Sequence, residues 1–203
     1  MNDAKDKILA AASALFLEGG SSALSVRAIS KRAGLSTIGI YSHFNGKQGI
    51  LDELYIEGYE LVSAVMNREK NREKNFSSPK EAILQAVKGY LRIADKYEAH
   101  YRLIFGESDP NYAPSPEAID ASQKAFARLI EGVSILLPVS ASFKEKQKTA
   151  LEIWALVHGF VSLKHHAVSN VLELDDWNAL TLQAMSTHVD GIILRNSIEG
   201  NKS

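Results

Sequence analysis

An all-α fold is predicted for this chain: a three-helix head carrying a helix-turn-helix, joined by a long helix to a helical-bundle domain. Three observations predict it. Apolar residues recur at helical spacing from end to end, with no strand-like alternation and no internal repeat. Proline is scarce at 5, and the first 78 residues contain none, which favours long helices. Serine caps and glycine stops punctuate the pattern, at short intervals first and long ones later.

At 203 residues the chain suffices for one large domain or two small ones, with a core that needs no covalent staples. Hydrophobic residues at 45% and charged residues at 23% exclude a disordered chain. The absence of cysteine excludes a disulfide scaffold, a thiol nucleophile, an iron–sulfur cluster and cysteine-bound zinc. No stretch approaches the roughly 18 consecutive apolar residues of a membrane helix. Met1–Lys7 lacks the basic lead and apolar run of a signal peptide. The expected location is the cytoplasm, where Asn-x-Ser matches at Asn75 and Asn201 are chance.

Ile8, Ala11, Ala12, Leu15 and Phe16 form one stripe of a helix over 4–18, which Gly19-Gly20-Ser21-Ser22 stops. Ser25 caps a short helix from Val26 to Ala33, ended by Gly34, and Ser36 caps a third running to His43. Asn45 and Gln48 read as a variant capping box, with Gln48 reaching back. The helix it opens runs to about Arg72, roughly 40 Å at 1.5 Å per residue. Charges cancel in Arg68–Lys74, a solvated end or linker, and the composition breaks at Asn75–Ser77. Ser78-Pro79-Lys80-Glu81 is a full capping box that starts a helix pair over 79–106. Glu107–Ser115 is a loop. Ser115-Pro116-Glu117 opens a helix ending near Pro138, Ser142–Glu145 caps another reaching about Ser169, and Asp175-Asp176-Trp177 begins the last, through about Asn196.

The net charge of −1 is unevenly spread. Residues 1–50 hold six basic side chains and three acidic ones, giving +3, and the remaining 17 basic and 21 acidic side chains give −4. A positive N-terminal unit suggests an anionic partner there. The sharpest pattern lies in 25–47. Gly34 supplies the tight turn of a helix-turn-helix, and Ser30 is small enough for close packing. Val26, Ile29, Ala33, Leu35 and Ile40 face inward, and Phe44 anchors the exit. Outward on the second helix stand Thr37, Ile38, Tyr41 and Ser42, with Gly39 allowing close backbone approach. Hydroxyls and one aliphatic suit hydrogen bonds and thymine-methyl contact in a major groove. Arg27, Tyr41, His43 and Lys47 surround them as phosphate ligands, and the helix starts at Ser25, Ser36 and Gly46 add N–H donors. Ser25 can cap its helix and meet phosphate at once.

The run Leu24-Ser25-Val26-Arg27-Ala28-Ile29 through Ala33-Gly34-Leu35-Ser36, then Ile40-Tyr41-Ser42-His43-Phe44 and Lys47, resembles the tetracycline-repressor (TetR) family of bacterial transcription regulators. The likeness covers roughly residues 5–55 in its motifs and the rest in helix order. Ser30 and Gln48 depart from it, standing where alanine and an acid are common. The resemblance implies that Thr37, Ile38 and Gly39 face bases, while Arg27, Tyr41, His43 and Lys47 hold the DNA backbone. It implies a DNA-binding domain over 1–47 and an effector-binding, dimerising domain over 48–203. Repression of a palindromic operator by a homodimer, relieved by a small-molecule effector, is the expected function, with no cofactor.

In the second domain the last two helices, with Leu151, Ile153, Trp154, Leu156, Val157, Phe160, Val161 and Leu163, are apolar most of the way round and need covering. Pairing with a second copy in a four-helix bundle is expected. Trp154–Gly159 resembles a Trp-x-x-x-His-Gly signature of one branch of the family. Trp154 and His158 share a face, either as a pocket wall or as packing around Gly159. Val62, Met66, Tyr90, Tyr101, Phe105 and Phe126 are further candidates to line a cavity for an uncharged, partly apolar effector.

An enzyme is the main rival class. Facing Glu-x-x-His pairs for a di-metal site are absent, as are dinucleotide and phosphate loops and a nucleophile elbow, so neither catalytic nor metal residues are expected. A second rival is a ligand-binding or protein-interaction dimer without operator binding; its DNA affinity would lack a steep salt dependence.

Overall fold

The structure, a computed structural model, describes residues 3–70, 76–105, 112–171 and 174–200. Among these residues it contains nine α-helices and no strand: α1 (Asp3–Gly19), α2 (Val26–Ala33), α3 (Thr37–His43), α4 (Gly46–Lys70), α5 (Pro79–Lys96), α6 (Glu98–Phe105), α7 (Pro116–Val133), α8 (Phe143–Lys164) and α9 (Trp177–Gly200). Asn75, Asn201, most of the Arg68–Lys74 run and the first part of the Glu107–Ser115 loop lie outside the described residues.

The caps explain where the helices begin. Ser25 accepts from the Ala28 N–H at 3.1 Å, and Ser36 from the Gly39 N–H at 3.1 Å. Ser142 and Glu145 form a complete capping box. The box at α5 is displaced by one residue: Ser78 Oγ accepts from the Glu81 N–H, while Glu81 accepts from the N–H and hydroxyl of Ser77. Those bonds hold the Glu81 carboxyl below its ordinary range. At α4 the expected box is replaced. Gln48 donates forward to the Ala113 carbonyl at 2.5 Å, because α7's leading segment offers it an acceptor. Two ends also differ. α7 tightens into a 3-10 turn over Ser134–Leu136, and α8 stops at Lys164, with a separate 3-10 turn at Ala167–Asn170.

Two compact units result, Met1–Leu61 with Asp95–Lys124, and Val62–Ala94 with Ala125–Ser203. The boundary at 47/48 separates expected roles; compactness divides the chain elsewhere. The core of the first unit joins Ile8, Ala12, Phe16, Leu24, Ile29, Ile40 and Phe44 to Ile50, Leu51 and Leu54 of α4 and to Ala99 and Leu103 of α6. A segment ending at 47 would leave that core uncovered. In the second unit, Ala150, Ile153, Val157 and Val161 of α8 are buried, as are Thr181, Met185, Val189 and Ile192 of α9. Their spacing of three and four residues gives each helix one inward stripe.

Candidate nucleic-acid interface and cavity

The turn between α2 and α3 follows from its backbone. Gly34 has φ 69°, a left-handed conformation that glycine adopts without penalty. The Leu35 N–H then bonds back to the Ser30 carbonyl at 3.0 Å and the Gly34 N–H to the Lys31 carbonyl at 3.4 Å, closing a Schellman motif. Ser30 is buried and donates its hydroxyl to the Arg27 carbonyl, so the departure from alanine costs no unsatisfied group. Ile29 and Ile40 are fully buried; Val26, Ala33 and Leu35 pack half-buried against the same core.

This closed core sets the opposite face of α3 in solvent. Ile38 is 80% exposed and Tyr41 63%. Ser25, Arg27, Ser36, Thr37 and Ser42 are exposed as well, while Gly39, His43 and Lys47 are half-buried. The Ser42 hydroxyl donates to the Gly39 carbonyl at 2.9 Å. Lys47 donates to the Ser21 carbonyl at 3.1 Å, which ties the start of α4 to the turn after α1. No acidic residue occurs from Gly19 to Leu51, whereas Arg27, Lys31, Arg32 and Lys47 do. Arg32 is spoken for by a bidentate pair with Glu18, whose carboxyl that bonding pulls below its ordinary range.

The second unit contains a cavity of about 120 Å³, roughly ten times the 10–15 Å³ a single water needs. Helix α4 contributes Val62, Val65 and Met66, α5 contributes Ile83, Val87 and Tyr90, α7 contributes Leu129 and Val133, and α8 contributes Ile153, Trp154 and Val157. Arg128, Glu131 and Gly132 are exposed and form its rim with Asn67, to which Arg128 donates a hydrogen bond. Gly89 is needed behind the wall, since a Cβ there would lie 2.5 Å from Val65 Cγ1.

Of the eight cavity residues expected from sequence, Val62, Met66, Tyr90 and Trp154 line it. Phe126 and His158 flank it through Trp154, at ring separations of 6.0 and 6.2 Å. Burial draws the His158 pKa below its ordinary value. Tyr101 and Phe105 are misplaced. They belong to the first unit, where α6 turns them into an aromatic cluster with Tyr59. Sequence reasoning missed Val65, Ile83 and Val87, although Ile83, Val87 and Tyr90 mark a stripe at i, i+4 and i+7.

Residues 8–54 match the model of bacterial regulatory proteins of the tetR family, and residues 83–177 match a tetracyclin repressor-like C-terminal domain. The chain belongs to the TetR family. A relative from Bacillus subtilis (strain 168), the probable HTH-type transcriptional regulator YttP, is 33% identical over 105 residues. That match spans 51% of this chain and about half of the relative, 49%. Two solved structures share the fold. The fatty acid degradation regulator FadR from Bacillus halodurans has a TM-score of 0.71 at 17% identity, over 92% of this chain and 94% of that one. FadR from Bacillus subtilis, solved in complex with stearoyl-CoA, has a TM-score of 0.70 at 17% identity, over 91% and 96%. The matched families and YttP are regulators rather than enzymes. No described helix is long and apolar enough to cross a membrane. This TetR-family chain therefore has a solvent-facing α3 in one unit and a partly open apolar cavity in the other.

Proposed function

We propose that this chain is a ligand-responsive transcriptional regulator that acts in the cytoplasm and reads a palindromic operator as a homodimer, repressing until an effector binds. The observation that carries the reading is the exposed face of α3, with Ile38 and Tyr41 in solvent above a closed core and no acidic residue between positions 19 and 51. Thr37, Ile38 and Gly39 meet base edges. Ser25, Arg27, Ser36, Tyr41, Ser42, His43 and Lys47 hold phosphates, Lys47 by exchanging its Ser21 carbonyl for one. Two copies of α3 then enter major grooves roughly 34–36 Å apart, or a multiple of that.

Dimerisation through α8 and α9 is supported by Leu151 and Leu163 on one helix and Leu194 and Ile198 on the other, all between 48% and 62% exposed. The cavity is the effector site in this reading. Its walls suit an apolar body, and the rim charges of Arg128 and Glu131 sum to zero, which suits a ligand without net charge. The stearoyl-CoA bound by FadR suggests the acyl-CoA class as the competing choice.

Selection of duplexes from a random pool at two salt concentrations tests the reading. A palindrome whose affinity falls with a log–log salt slope of about −0.9 per neutralised phosphate is expected. Tyr41→Phe should then weaken all duplexes alike, while Thr37→Ala should change the preferred sequence at one position by about 1–3 kcal/mol. An unenriched pool from folded dimer would favour the ligand-binding dimer without an operator. For the effector, the change in Trp154 emission of a Trp177→Phe variant on adding a long-chain alcohol, compared with stearoyl-CoA, separates the two ligand classes.

A further inference from the structure

Gln48 and Asp52 lie one turn apart on α4, facing the residues that lead into α7. Asp52 Oδ1 accepts from the Tyr112 hydroxyl at 2.9 Å and from the Ser115 backbone N–H at 3.0 Å. Gln48 Nε2 donates to the Ala113 carbonyl at 2.5 Å and stands 3.5 Å from Asp52 Oδ2. Two side chains of α4 thus clasp residues 112–115.

The clasp completes a helix cap. Ser115 Oγ accepts from the Ala118 N–H at 3.2 Å, as the cap of α7 should. In a capping box the third helical residue, a Glu or Gln, returns an acceptor to the cap's own N–H. Here that residue is Ala118, fully buried and without an acceptor, and Glu117 stands one place too early. Asp52, 63 residues upstream, supplies the missing acceptor. The negative charge also favours the start of α7. The same contact explains why residue 48 is an amide where the family commonly has an acid. A carboxylate there would face a carbonyl and a second carboxylate, whereas Gln48 donates. Burial and the bond to Asp52 both push the Tyr112 phenol up, so it stays a donor at physiological pH.

We propose that Asp52 is the positioning residue that carries occupancy of the cavity to the start of α4. Helix α7 runs from the clasp at Ser115 to Leu129 and Val133 in the cavity wall, and α4 runs from Lys47 past Asp52 to Val62 and Met66 in the same wall. The two helices are pinned together one turn beyond Lys47 and meet again around the cavity. A displacement of α7 by an occupant reaches Lys47 through Asp52 as well as along α4. This rests on the reading of the cavity as the effector site.

A tethered occupant tests it without knowledge of the ligand. Gly132 lines the rim, a Cβ there meets nothing within 4 Å, and the chain has no cysteine, so Gly132→Cys can be alkylated uniquely with N-cyclohexylmaleimide. The readout is amide exchange over residues 50–58 of the full chain by mass spectrometry, with a thermal melt to confirm folding. Labelling should change exchange there by about fivefold or more, and Asp52→Ala should remove most of that change. Tyr112→Phe keeps the Ser115 bond and should remove part of it; should Asp52→Ala fail to fold, this variant decides. Equal responses with and without the clasp overturn the proposal while leaving the cavity reading intact, since the signal then runs along α4 alone. No response in the parent overturns both. Exchange needs no DNA, so a failed duplex selection has no bearing on this test.

Discussion

The two units handle apolar surface in opposite ways. In the first, Ile8, Ala12, Phe16, Ile29 and Ile40 close on one another and leave Ile38 and Tyr41 mostly in solvent, 80% and 63% exposed. In the second, α4, α5, α7 and α8 surround a space that their own side chains do not fill. In the proposed reading the first arrangement offers its exposed face to DNA and the second its apolar volume to an effector. Native interiors are ordinarily packed with few voids larger than a water molecule, so an unfilled cavity of this size sacrifices contacts that a purely structural bundle would make.

Truncations on the two sides should break the comparison most strongly. Phe16, 2% exposed in the closed core, should cost about 3–5 kcal/mol when changed to alanine. Met66→Ala, beside a space that already lacks partner atoms, should stay at or below about 2 kcal/mol, the low end for such changes. Urea melts of both variants check this, and equal losses would mean that the second unit is packed as tightly as the first. Glycines give the next effect. Gly89→Ala drives a methyl into Val65 and should cost about 1–3 kcal/mol despite its better helix propensity. Gly34→Ala meets no atom within 4 Å, so only the left-handed φ opposes it, for about 1–2 kcal/mol. Gly89→Ala should also weaken cavity ligands, whereas Gly34→Ala should weaken DNA.

The same contrast explains what could be read in the sequence. The head is written in short-range terms: Ser25 and Ser36 as caps, Gly34 as the left-handed stop, and apolar residues three and four apart within each helix. Each of those signals acts over four residues or so, and the helix boundaries of α2 and α3 follow from them directly. The cavity depends on which faces of α4, α5, α7 and α8 meet, and that is settled by packing between residues far apart in the chain. Tyr101 and Phe105 had the right chemistry for a wall and stand in the other unit, because α6 belongs to the core built by α1 and the start of α4. Gln48 shows the same limit at one residue. Its local pattern was that of a cap reaching back, yet an acceptor 65 residues downstream, Ala113, takes its donor.

The smallest expected effect concerns pH and separates the units by titration. His158 is half-buried beside Trp154, and burial lowers its pKa in the folded chain. Unfolded, it titrates near about 6.5. Between those two values the unfolded chain binds more protons than the folded one, so this residue's contribution to stability is complete above about 6.5 and declines as pH falls toward the folded value. His158→Phe keeps a ring against Trp154 and removes the proton site. Urea midpoints measured from pH 8 to 5 should therefore decline less in the variant than in the parent. Near-ultraviolet dichroism of the tryptophans should move with the parent's decline, because the Trp154 ring lies beside His158 and the first unit contains no tryptophan. A variant whose midpoints track the parent's at every pH would place the acid sensitivity in another histidine and leave His158 as packing around Gly159.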